Sequence, residues 1–157
     1  MPEEIPSPML EENPPRVPRG PDWLPTWELA ALALGDFMVL VLFAAVGRGS
    51  HSLGASQRGV IAALNTAAPF MLAWLIVGIV VGTYRGKALY PPARVLARTL
   101  LAALIAGPLG VIFRALWLGR PVVISFMLVA TAVSGAFLAV WRLVWSRIRR
   151  LWWPELP

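Results

Sequence analysis

The sequence contains no cysteine, and it has only one histidine among its 157 residues. Without cysteine the chain cannot form disulfides, thiolate metal sites or a cysteine nucleophile. A single histidine also argues against a metal site built from imidazoles. Ser50 and His51 are adjacent, but no acidic residue lies near them in the sequence to orient the histidine as a catalytic base. These absences predict a protein that is not an enzyme and holds no metal.

Charged residues are also scarce. They make up 14% of the chain and hydrophobic residues 58%, whereas a soluble domain averages about 25% and about 45–50%. The apolar residues form four blocks, each close to or above the roughly 20 residues that cross a bilayer. The sequence therefore predicts an all-α integral membrane four-helix bundle. The predicted spans are residues 26–47, 59–82, 95–118 and 122–145.

The net charge of +6 suggests nucleic acid at first sight. Nearly all basic residues flank the apolar blocks, however, where they meet lipid headgroups. The expected partners are the lipid bilayer and either other membrane subunits or further copies of the chain, and nucleic acid is not expected. Residues 1–25 are rich in Pro and Glu and predict a disordered cytoplasmic tail. Residues 26–145 form the membrane domain, and residues 146–157 predict a basic, aromatic interfacial tail.

Basic residues also predict the orientation in the membrane. Four helices place both tails and the central loop on one side, which then carries ten Lys and Arg residues: Arg16, Arg19, Arg85, Lys87, Arg94, Arg98, Arg142, Arg147, Arg149 and Arg150. The other side carries four: Arg48, Arg58, Arg114 and Arg120. Because cytoplasmic loops are enriched in Lys and Arg, we expect an inner (plasma) membrane protein with both termini in the cytoplasm.

Polar residues inside the predicted spans indicate a candidate site near the membrane midplane. Asp36 precedes Gly47 by eleven residues, which places it about 16 Å below the end of its helix. Pro69 and Pro108 fall at similar depths and predict helix kinks, because each proline frees the carbonyl four residues before it. Such kinks beside a buried acid are typical of transporter sites, although proline is frequent in membrane helices generally. The candidate intramembrane site comprises Asp36, Arg114, Asn65, Thr66, Ser125 and Thr131.

The sequence leaves the partner of Asp36 open. Arg114 belongs to a stripe of small residues on the third helix, so it either turns inward to Asp36 or extends outward to the lipid headgroups. Small residues of the third and fourth helices, at positions 103, 107, 110, 131, 135 and 139, predict helix contact faces. Arg48 and His51 form a candidate outer-side site. Arg48 is interpreted as a headgroup anchor, and His51 as a solvated loop residue or as a proton relay.

Several short segments resemble one known family. They are Gly35-Asp36, residues 43–51 and residues 66–70, followed by Ser125-Phe126, Val129-Ala130 and Trp141-Arg142. Over residues 28–145 the chain resembles the small four-helix prokaryotic membrane proteins known as domain of unknown function 3054. The resemblance implies the four-helix membrane fold and carries no established activity.

Two functions fit these observations. The first is a structural or accessory subunit that associates with a larger membrane complex. The alternative is an oligomeric transporter or binding protein for a small solute or ion, with a midplane site around Asp36. No residue requires a cofactor, so none is predicted, and a quinone or pigment held within a complex is compatible with the sequence.

Overall fold

The computed structural model describes residues 23–47, 57–119 and 121–152, which form four long helices. They are α1 (Thr26–Gly47), α2 (Gln57–Val81), α3 (Pro92–Leu118) and α4 (Ile124–Trp152), with a short 3₁₀ turn at Gly86–Ala88 between α2 and α3. Each helix is long and apolar enough to cross a membrane. The predicted all-α four-helix architecture is therefore confirmed, and α1 has the predicted bounds. The largest difference is that α4 continues through Trp152 instead of ending at Trp145.

Proline and glycine define the helix ends. Pro92 begins α3, where the missing N–H of proline costs no hydrogen bond. Gly82 follows α2 with a φ of 75°, a left-handed conformation that glycine adopts without strain. Its N–H bonds the carbonyl of Ile79, and the N–H of Thr83 bonds the carbonyl of Gly78 at 2.9 Å. This pair of bonds is a Schellman motif, and it turns the chain back toward the bundle.

The helices form a ring in which α1 and α3 each pack against α2 and α4. One end of the ring holds the start of α1, the α2–α3 connection and the end of α4, and we call it the basic end. Trp23 there forms a β-bridge with Arg85, and the guanidinium of Arg150 lies 5.5 Å from the ring centre of Tyr90. The end of α1 and the start of α4 lie at the opposite end.

The core between the helices combines large and small side chains. Leu40, Phe43, Phe70, Trp74 and Leu138 fill the centre. Small residues line the α3–α4 contact, where a Cβ on Gly135 would lie 3.1 Å from the Cβ of Ala103, and one on Gly107 would overlap the Thr131 side chain. The small-residue stripes predicted on these two helices are therefore contact faces within the chain. They allow the helix backbones to approach closely, which drives helix association in lipid.

The close contact at Gly107 predicts the effect of adding one methyl group. We expect Gly107→Ala to lower the thermal stability in detergent, because overpacking a tight contact costs about 1–3 kcal/mol. Gly47→Ala is the matched control, since a Cβ at Gly47 meets no atom within 4 Å. Adding Thr131→Ala to Gly107→Ala should restore part of the loss. Equal melting temperatures for the two glycine variants would contradict the α3–α4 contact described here.

Candidate functional site

Asp36 is buried in the bundle, and its carboxylate accepts four hydrogen bonds from three side chains. Oδ1 accepts from Arg142 Nε at 3.0 Å, and Oδ2 accepts from Arg142 Nη2 at 2.5 Å. Oδ2 also accepts from Trp74 Nε1 at 2.9 Å and from the Tyr84 hydroxyl at 2.8 Å. The Asp36 side chain is 2% exposed and that of Arg142 1%. The expectation that Asp36 faces the interior with a partner is therefore confirmed. We call these four residues the Asp36 cluster.

A glycine on α1 allows Asp36 and Arg142 to meet. The ring of Trp141 lies directly against the backbone of Gly35, where any Cβ would overlap the indole. This contact brings α1 and α4 close together at that level. The next residue on each helix then completes the bidentate ion pair, the strongest arrangement between arginine and a carboxylate. Gly35-Asp36 and Trp141-Arg142, both noted in the sequence, are thus the two halves of one helix contact.

The turn after α2 supplies the other side of the Asp36 cluster. The Schellman motif at Gly82 directs Tyr84 back over the helix, where a Cβ on Gly78 would lie 2.9 Å from the tyrosine ring. The hydroxyl of Tyr84 reaches Asp36, and the carbonyl of Thr83 accepts from Arg142 Nη1 at 2.8 Å. The Arg142 guanidinium carbon also lies 4.6 Å from the ring centre of Tyr84. This geometry adds a cation–π attraction to the ion pair.

In the Asp36 cluster, the two charges offset each other, and each hydrogen bond has one donor and one acceptor. Burial raises the pKa of the Tyr84 phenol, and the nearby Asp36 carboxylate raises it further, so the phenol keeps its proton and acts as a donor. The positive charge of Arg142 offsets the negative charge of Asp36. A void lined by Leu40 and Trp74, among others, measures about 10 Å³, which is barely the space for one water molecule. The arrangement is suited to holding helices together.

A second ion pair joins the same two helices closer to the basic end. Arg149 Nε lies 2.7 Å from Glu28 Oε1, and the two side chains are 10% and 1% exposed. Glu28 precedes Asp36 by about two helical turns, and Arg149 follows Arg142 by about two turns. Because α1 and α4 run in opposite directions, the two acids of α1 face the two arginines of α4 in matching order.

Arg114 is not the partner of Asp36, so the inward pairing considered from the sequence is wrong. Arg114 lies one turn before the end of α3, at the opposite end of the bundle. Its guanidinium carbon lies 5.1 Å from the ring centre of Phe126. Asp36 instead bonds groups from the α2–α3 connection and the second half of α4, which belong to the half of the bundle toward the basic end.

The four hydrogen bonds that Asp36 accepts come from none of the remaining candidates, Asn65, Thr66, Ser125 and Thr131. Asn65 and Ser125 are exposed on the surface of the chain. Thr66 donates to the carbonyl of Ala62 at 2.9 Å, and Thr131 packs on Gly107.

Two further predictions concern the outer-side site and the helix kinks. Arg48 and His51 lie outside the described residues. Helices α2 and α3 continue through Pro69 and Pro108 as single elements. The kinks at these prolines stay predictions.

Sequence reasoning missed Arg142, Trp74 and Tyr84. The count of basic residues by side places Arg142 at the membrane surface, because it stands near the predicted end of α4. The sequence of α4 contains a helical periodicity that could have located Arg142. The buried positions of this helix lie three or four residues apart along one face: Gly135, Leu138, Ala139, Arg142, Ser146 and Arg149. This stripe continues from small apolar residues into two arginines and indicates that both arginines face the bundle.

Comparison with known proteins identifies the family to which the chain belongs. A family model described as "Protein of unknown function (DUF3054)" matches residues 33–145. No curated protein and no solved structure matches the chain. The matched range contains all four residues of the Asp36 cluster, whereas Glu28 and Arg149 lie beyond its two ends.

The ion pair predicts strong energetic coupling between Asp36 and Arg142. Asp36→Ala and Arg142→Met should each lower the free energy of unfolding by about 3–5 kcal/mol, because each leaves an unpaired buried charge. The double variant should lose clearly less than the sum of the two. Asp36→Asn should lose less than Asp36→Ala, since the amide oxygen still accepts from Trp74 and Tyr84.

These differences are measured by denaturant or thermal unfolding in detergent micelles. Asp36→Ala combined with Arg114→Met provides the control, and its two effects should add because these residues do not touch. Additive effects of Asp36→Ala and Arg142→Met would show that the pair does not form.

Proposed function

Because the chain belongs to the DUF3054 family of proteins of unknown function, whose model spans the whole Asp36 cluster, we propose that it is a structural, non-catalytic membrane protein. In this proposal it acts as an accessory subunit of a larger membrane assembly. Its part is to contribute a four-helix unit whose first and last helices are fixed to each other before assembly.

The saturation of the Asp36 carboxylate carries this proposal. A transport or ion-binding site needs ligand atoms that are free to receive the solute. Both oxygens of Asp36 are already bonded, and Arg142 supplies the opposite charge. A cation would have to displace a buried arginine, and breaking such a pair costs about 3–5 kcal/mol. The geometry therefore supports a fixed structural role for this acid.

The alternative function, an oligomeric transporter or binding protein centred on Asp36, requires a further step. Arg142 would have to release the carboxylate in each cycle, and Tyr84 and Trp74 would have to release it with Arg142. In that case Asp36→Asn would keep the fold and abolish proton- or cation-dependent uptake.

The outward surface of the bundle supports association with other subunits. In the most apolar 18-residue stretch of each described span, less than half of the residues are buried inside the chain, so part of each helix surface faces lipid or a neighbour. The exposed side chains include large apolar residues such as Val80, Leu104, Leu116 and Trp117. Packing of such faces in lipid depends on shape and hydrogen bonds, and a fixed bundle presents a constant surface to a partner.

The association is tested on the full chain, tagged and extracted from its native membrane in a mild detergent. We expect native mass spectrometry to show the 17.1 kDa chain with another membrane subunit at fixed stoichiometry. Asp36→Ala should lose that subunit together with thermal stability, and the exposed-site control Arg147→Met should retain it. A homo-oligomer without another subunit would contradict the accessory role and favour the transport alternative.

The orientation belongs to the same proposal. We place the protein in a prokaryotic inner membrane with the basic end in the cytoplasm, in accord with the positive-inside rule. The chain has no cysteine, so single cysteines report their location without background labelling. Lys87 is exposed at the basic end, and Val122 is exposed just before α4 at the opposite end.

We therefore expect a membrane-impermeant maleimide to label Val122→Cys in intact cells. Lys87→Cys should react only after the membrane is permeabilised. Labelling of Lys87→Cys, but not of Val122→Cys, in intact cells would reverse the proposed orientation.

A further inference from the structure

A cavity of about 360 Å³ lies at the opposite end of the bundle and is lined by all four helices. Three phenylalanines, Phe43, Phe70 and Phe126, form much of its wall. Val46 of α1 and Val129 of α4 line it as well, and both are largely exposed. The cavity therefore opens between α1 and α4 toward the surrounding lipid. Its size is near the lower end of the roughly 300–1,000 Å³ that small-molecule sites span.

Arg114 is the charged residue that lines this cavity. Its Nε atom is buried and has no hydrogen-bond partner. Its guanidinium lies over the ring of Phe126 and forms no ion pair with any described acidic residue. A buried donor without a partner is costly, and a charged one more so. The cavity thus combines apolar walls with a cation that no described acidic residue pairs with.

The sequence has no acidic residue close to Arg114 along the chain. All eight acidic residues stand at positions 3, 4, 11, 12, 22, 28, 36 and 155, so none occurs between residues 37 and 154. Asp36 and Glu28 already pair with arginines of α4. Neither of the two described acids is therefore left for Arg114, and an anion from another molecule can supply its counterion.

We propose that this cavity binds a long-chain fatty-acid anion from the surrounding bilayer. The carboxylate lies against Arg114, whose planar guanidinium matches a carboxylate with two parallel hydrogen bonds. The hydrocarbon chain packs along the phenylalanines and leaves through the opening between α1 and α4. One negative charge balances the one arginine, and the volume suits one chain better than the two chains of a phospholipid.

Binding of radiolabelled palmitate to the purified full chain in a non-ionic detergent tests this proposal. We expect saturable binding of one palmitate per chain. Arg114→Met should weaken the binding about tenfold or more, because it removes the charged hydrogen bonds and keeps an unbranched, largely apolar side chain at this position. Arg147→Met removes one arginine at the basic end and should leave binding unchanged. Hexadecanol, which has the same chain and no charge, should compete poorly.

A second variant keeps the result interpretable if Arg114→Met perturbs the fold. Ala130→Phe places a ring in the cavity from α4 without touching the charge, and it should block palmitate while the melting temperature of the protein reports on the fold. Equal competition by hexadecanol and palmitate would overturn the proposal. So would undiminished binding by a folded Arg114→Met variant, or the finding that the molecule retained from native membranes at one per chain is a phospholipid or a quinone.

Discussion

The bidentate ion pair between Asp36 and Arg142 connects the first helix of this protein to the last. In lipid, apolar helices gain nothing from burying one another in place of lipid tails, so packing and directional bonds decide which helices associate. Helices α2 and α3 are joined by a short connection, and α3 and α4 by an even shorter one. No short connection joins α1 to α4, so the contact between these two helices depends on their side chains. The two ion pairs, Asp36 with Arg142 and Glu28 with Arg149, close the ring at this contact.

The residues around the Asp36–Arg142 pair allow α1 and α4 to approach each other. Gly35 removes the one Cβ that would hold Trp141 away from α1. Gly82 ends α2 in a left-handed turn, and the turn brings the Tyr84 hydroxyl and the Thr83 carbonyl to the acid and the arginine. An unpaired charge at the centre of a membrane helix costs at least about 2.5–3.5 kcal/mol. Three helices and a loop together supply the hydrogen bonds of Asp36 and Arg142. Only one arrangement of the bundle brings all of these groups together, so the cost of an unpaired charge disfavours other arrangements.

The two halves of the bundle differ in how their charges are compensated. Toward the basic end, the acids of α1 and the arginines of α4 neutralise each other and leave little space between them. Toward the opposite end, Arg114 lines an apolar cavity and pairs with no acidic residue that the structure describes. Bound molecules or partners are therefore expected to act on the opposite half, while the half toward the basic end keeps the helices in place. This division agrees with a structural role for Asp36 and separates that role from ligand binding.

Sequence alone determined the membrane class, the number of helices, the bounds of α1 and the inward direction of Asp36. Each of these follows from the composition of one segment or from the cost of exposing a charge to lipid. The partner of Asp36 depended on the tertiary structure, because depth along one helix does not reveal how far neighbouring helices are shifted. If α4 ended at Trp145, Arg142 would lie at the membrane surface, as its position in the sequence suggested. Because α4 continues through Trp152, Arg142 stands about 15 Å inside the helix end, level with the acid that it binds.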